Sequence, residues 1–175
     1  STPIPQPGTS LVMMRYEPSM SQELDSSIAT VITQPEPIVH IELAATPTGS
    51  WLVFQTDGAP VAPPIMAVRV APDGQLAGNL APVTPEGGVS SEFAAANLDE
   101  ALVFAHVGLD DGVPVIHVQR VEPDGRLSAT ATIDISMMPT QGSLRLLGTP
   151  DQRSLIAAWE GPEGVSTMLK LDCAP

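Results

Sequence analysis

Seven basic side chains sit in a chain of 175 residues with a net charge of −13, and four of them fall at one recurring position. Arg15, Arg69, Arg120 and Lys170 each close an apolar run, at spacings of 54, 51 and 50 residues. In so acidic a chain each base is expected to meet a neighbouring carboxylate. The favoured reading is therefore a repeated ion pair or a snorkelling edge residue. A ring of cations facing an anionic ligand is the alternative. A second group is acidic: Asp110-Asp111-Gly112 and similar loops could offer oxygen ligands to Ca²⁺. They lack the alternating Asp-x-Asp-x-Asp-Gly order of a dedicated cage, so solvated hairpin tips are the expectation. His40, His106 and His117 have no metal-ligand spacing, and zinc needs three or four donors. No Gly-x-Ser-x-Gly elbow, phosphate-cradling glycine loop or singled-out pair of carboxylates is present, so neither a catalytic residue nor a cofactor is expected.

The elements around these residues follow a period of about 50. Leu43 and Leu52, Phe93 and Leu102, and Leu146 and Leu155 are each nine residues apart. After each pair comes an apolar run (Trp51-Leu52-Val53-Phe54, Ala101-Leu102-Val103-Phe104, Leu155-Ile156-Ala157-Ala158-Trp159), then an acid-and-glycine loop, then a second apolar run ending in the base. Ala71-Pro72-Asp73-Gly74 and Glu122-Pro123-Asp124-Gly125 follow two of the bases. Pro presets φ, Asp bonds its own backbone and Gly accepts positive φ, so these are turns between a third and a fourth strand. Ala94-Ala95-Ala96 invites a helix, but the register of the repeats places it in a strand. Four antiparallel strands per 50 residues predict an all-β chain of propeller-like repeats in an incomplete ring, with a β-sandwich as the alternative.

The boundaries drawn from the repeat are a Pro-rich linker over 1–10 and one repeat domain over 11–175. Within it lie a partial blade (11–34), two blades (35–85 and 86–136) and a second partial blade (137–175). Propellers typically close with four to eight blades, so open edges and faces are expected to be met by another protein chain or a second copy. The strands and hairpins resemble the degenerate β-propeller repeats of secreted and envelope-bound bacterial proteins. The resemblance rests on Leu52-Val53-Phe54, Leu102-Val103-Phe104 and Ala157-Ala158-Trp159, with Arg69-Val70-Ala71-Pro72-Asp73-Gly74 and Arg120-Val121-Glu122-Pro123-Asp124-Gly125. It implies a fold and no particular activity.

Composition excludes other classes. Clustered bases are needed to displace counterions from nucleic acid, and this chain has few and scattered ones. Its six aromatics come without a basic groove to guide single strands. No apolar stretch reaches the length of a membrane helix. Cys173, the sole cysteine, cannot form an internal disulfide. The uncharged, proline-rich start and a single lysine point to an extracytoplasmic bacterial protein. The expected function is a non-enzymatic interaction or structural module. A carbohydrate-binding module is the alternative, with Trp51 and Trp159 as the stacking candidates, although both are expected in the core. The Met13-Met14 and Met137-Met138 doublets are read as core gap-fillers.

Overall fold

A computed structural model describes residues 9–13, 29–34, 36–57, 63–84, 92–149 and 151–172. Arg15 and Cys173 lie outside the described residues, as do residues 1–8 of the linker. Thr9 and Ser10 already belong to the first strand. The described residues form antiparallel sheets and no helix. The first sheet pairs β1 (Thr9–Met13) with β2 (Ala29–Gln34). The second is a meander of β3 (Ile38–Thr46), β4 (Gly49–Thr56), β5 (Met66–Val70) and the two-residue β6 (Ala81–Pro82). The third joins β7 (Phe93–Leu98), β8 (Ala101–Asp110), β9 (Val113–Val121) and β10 (Leu127–Asp134). The fourth has three strands: β11 (Arg145–Gly148), β12 (Ser154–Glu160) and β13 (Ser166–Asp172). Each strand pairs with its neighbour in sequence, and none of the sheets closes on itself.

One tight turn recurs through the chain. In Ala71–Gly74, Glu122–Gly125 and Gly161–Gly164 the glycine N–H donates to the carbonyl three residues back, at 2.9, 2.8 and 3.0 Å. The glycines adopt φ of 84, 86 and 74°. Asp73 and Asp124 accept the N–H two residues on, both at 3.0 Å, which fixes the turn from its own side chain. A Cβ on Gly125 would touch nothing, so any cost there is conformational. Gly125→Ala is expected to destabilise the fold by about 1 kcal/mol, read as a lower urea midpoint at unchanged slope.

The sheets pack face to face in sequence order. Ile32 of β2 meets Leu52, Phe54, Val68 and Val70 of the second sheet. The opposite face of that sheet (Ala44, Trp51, Val53, Ala67) packs on Phe93, Leu102, Phe104 and Val121 of the third. The far face of the third (Ala96, Val103, Ala105, Ile116, Val118) packs on Leu144, Leu146, Leu155 and Ala157 of the fourth. β8 is thus buried on both faces, which is why Ala101–Ala105 reads as a continuous apolar run rather than an alternating one. Phe54, Phe93 and Phe104 are fully buried, each contributing about 1.5–3 kcal/mol by leaving water.

The nine-residue leucine spacing does not mark equivalent pairs. Leu43 stands opposite Leu52, but Phe93 stands opposite His106 and Leu146 opposite Ala157. The base slot is the truer register: Arg69, Arg120 and Lys170 stand opposite Trp51, Val103 and Ile156.

Candidate functional site

The three recurring bases among the described residues are held by carboxylates, but not all in the same way. Arg69 reaches out of its sheet to Glu100, in the β7–β8 turn of the next one, at 2.7 Å. The Thr48 hydroxyl donates to Glu100 at 2.6 Å, and the Trp51 indole N–H donates to the Glu100 carbonyl at 3.0 Å. The guanidinium also lies over the Trp51 ring at 5.9 Å. The Thr48 hydrogen bond and then the Arg69 charge hold the Glu100 carboxyl below its usual range. Arg120 and Lys170 stay within their own sheets, pairing with Glu122 at 3.0 Å and Asp172 at 2.8 Å. The Ser128 hydroxyl, ahead of the Arg120 charge, lowers Glu122. Lys170 lowers Asp172 and is itself raised by it, and the Ser154 hydroxyl also donates to Asp172.

The calcium candidates are not brought to a common point. Asp110 ends β8, exposed, with an oxygen 3.5 Å from His117 Nε2, and Asp111 occupies the following turn at φ 52°. Among the described residues no three His, Cys, Asp or Glu side chains converge on a metal position. The histidines share a row instead. His40 stacks on Phe93 at 3.9 Å, Phe93 stands opposite His106, and the His106 and His117 rings are 5.0 Å apart on directly opposed residues. His106 is buried, and neither ring nitrogen makes a well-formed hydrogen bond. Burial first, and the His117 charge second, depress its pKa to about 4, with the Val107 backbone opposing.

Sequence reasoning gave Glu92 no role, yet it ties two sheets together. It is buried just ahead of β7, and its two oxygens accept the backbone N–H groups of Gly142 at 2.6 Å and Leu144 at 2.8 Å. The only hint in the sequence is an acid set directly against an apolar strand.

Met168, the most exposed large apolar side chain among the described residues, lies on the outer face of the fourth sheet. Register places Arg145, Ala158 and Met168 in one row, and Leu147, Ile156 and Lys170 in the next. The intervening row of Leu146, Ala157 and Leu169 faces the other way, with Leu146 and Ala157 in the core. Counting from the base slot, Met168 is equivalent to Ala67 and Val118. Those are 2% and 8% exposed, each covered by the next sheet, whereas Met168 is 72% exposed. Leu147, on the same face but across β12 in the next row, is also exposed. The Met137-Met138 doublet is half-exposed rather than core-filling.

A groove of about 520 Å³ opens over Arg145, Ala158 and Met168. Trp159 lines it while packing partly against the core, unlike Trp51, which is buried. No helix of the described residues is long and apolar enough to cross a membrane. No protein-family model matches this chain, and neither does any curated protein or solved structure.

Proposed function

We propose that this chain is a non-enzymatic protein-interaction or structural module, a propeller-type series of sheets completed by another chain outside the cytoplasm. The observation that carries the reading is Met168, exposed at a repeat position that is buried under a following sheet in both equivalent places. The propeller-type arrangement is supported by the meander order of the second, third and fourth sheets and by the first strands β3, β7 and β11 lying side by side. An exposed apolar sheet face invites a partner of matching shape. Placement outside the cytoplasm rests on the proline-rich start and the near absence of lysine.

Native mass by light scattering tests this reading. The wild type is expected above its 18.2 kDa chain mass, either as a self-assembly or with a co-purifying chain. Met168→Asp is expected to return it to the monomer with stability changed by no more than about 0.5 kcal/mol, since the side chain is exposed. A wild type that runs alone as a monomer at high micromolar concentration defeats the idea.

A second reading has one observation in its favour. Half-buried Trp159 is among the residues lining the groove, next to Thr140, Gln141, Ser143 and Glu160, so an aromatic residue and hydrogen-bonding groups meet there, the mix a carbohydrate site needs. Trp159→Ala would then abolish glycan binding measured by titration calorimetry while the protein stays folded. Unchanged binding, or none in the wild type, removes this reading.

A further inference from the structure

The fourth sheet is open along an edge as well as on a face. In the third sheet the third strand β9 is covered along its outer edge by β10, and in the second β5 is met by the short β6 at Met66 and Ala67 and by a single bridge from Val70 to Leu76. The β9–β10 ladder runs from Val121 opposite Leu127 to Val115 opposite Asp134. β13 is the equivalent third strand, and no described strand pairs with its outer edge. Six of its seven residues are exposed, while β5 and β9 are largely buried or half-buried. Its pairing with β12 is regular from Ser154 opposite Asp172 to Glu160 opposite Ser166, without a register shift. β10, itself an outer strand, carries a shift between Leu127 and Ala129, the kind of irregularity that discourages further pairing. β13 has no such guard apart from Lys170.

We propose that the outer edge of β13 is a strand-acceptor site, filled by an extended antiparallel strand from another protein chain. This rests on reading the fourth sheet as incomplete, but it concerns the edge rather than the face that bears Met168. A sheet face of three short strands covers roughly 300 Å² at ordinary strand spacing and rise. Stable partners bury about 800 Å² each, so the face alone is too small and a strand in the ladder supplies the missing contact.

The chain's own fourth strand shows the chemistry of the donor. β10 has the sequence Leu-Ser-Ala-Thr-Ala-Thr-Ile-Asp, small and β-branched, and places Ala129 opposite Arg120 and Ala131 opposite Val118. The donor strand is therefore uncharged through its centre, with a small residue opposite Lys170 and another opposite Met168. With a net charge of −13 the acceptor repels acidic donors, so the flanks of the donor strand are neutral or basic.

A tethered strand tests the edge directly. The full chain is extended by a flexible Gly-Ser linker and a second copy of the Leu127–Asp134 sequence, which holds the probe at about millimolar effective concentration. Hydrogen exchange is read at the amides of Ser166–Asp172. The tethered strand is expected to slow their exchange at least tenfold. A control strand with proline at alternate positions, which cannot donate to a ladder, is expected to leave it unchanged. Equal exchange with both strands overturns the proposal. The same pair of proteins is measured in a Met168→Asp background. Retained slowing there assigns the binding to the edge; loss of slowing assigns it to the outer face and also overturns the edge proposal. If Met168→Asp leaves the native mass untouched while the edge still accepts the strand, the face reading fails and the edge proposal stands.

Discussion

Glu92→Ala is expected to cost about 3–5 kcal/mol, among the largest single losses in this chain. The carboxylate accepts two backbone N–H groups from the segment that leads into β11, at 2.6 and 2.8 Å. Hydrogen bonds to a charged group contribute about 1.5–3 kcal/mol each. Removing the side chain also strands two donors, and the Leu144 N–H belongs to a fully buried residue with no water to turn to. Glu92→Gln keeps the shape, yet it turns one oxygen into an NH₂ group facing an N–H. It is therefore expected to lose about 2–3 kcal/mol rather than to be silent. Urea unfolding of both variants at neutral pH checks this. If glutamine costs under about 0.5 kcal/mol, the two carboxylate bonds are not what joins the third sheet to the fourth.

Much of the fold was legible because local chemistry dictates it. The two Pro-Asp-Gly turns form where the sequence puts them, since φ, side-chain bonding and glycine each act within four residues. The Ala94–Ala96 run lies in a strand, as the register of the repeats required. The nine-residue leucine spacing marks the repeat but not the strand register, for an equally physical reason. The true partners, His106 for Phe93 and Ala157 for Leu146, lie four and two residues beyond the leucines of the pattern. Even displacements keep every side chain on the same face of a strand, so the apolar pattern cannot register them. Pairings between sheets were not legible at all. Arg69 meets Glu100 and Glu92 meets Gly142 across 31 and 50 residues, through faces that approach only once the sheets have stacked. Which residue of the outer face of the fourth sheet would be bare depended on the base slot aligning Ala67, Val118 and Met168.

Between pH 6.5 and about 4 the protein is expected to lose on the order of 3 kcal/mol of stability through His106 alone, because its folded pKa is about 4 against an ordinary value of 6.5. The sign follows from which state takes the proton first. As pH falls past 6.5 the unfolded chain protonates this imidazole, while the folded one resists until about 4. Unfolding therefore gains across that window, and the full stability is present only above it. The ring resists because it is buried among Phe93, Phe104 and His117, with desolvation the largest cause and the His117 charge the next. Asp110 sits against His117 and Glu42 against His40, so both neighbouring histidines have a carboxylate that His106 lacks. The lowered carboxylates Glu100, Glu122, Asp151 and Asp172 act later. Their contribution is present above the ordinary carboxylate range and is lost only as pH falls through their depressed folded values. The two windows can thus be separated. His106→Leu, close in volume and unable to take a proton, is expected to flatten urea-unfolding stability between pH 6.5 and 4.5. It is also expected to leave the steeper acid loss in place below that. A wild-type slope that survives in His106→Leu would place the titration elsewhere and strip the buried imidazole of its role.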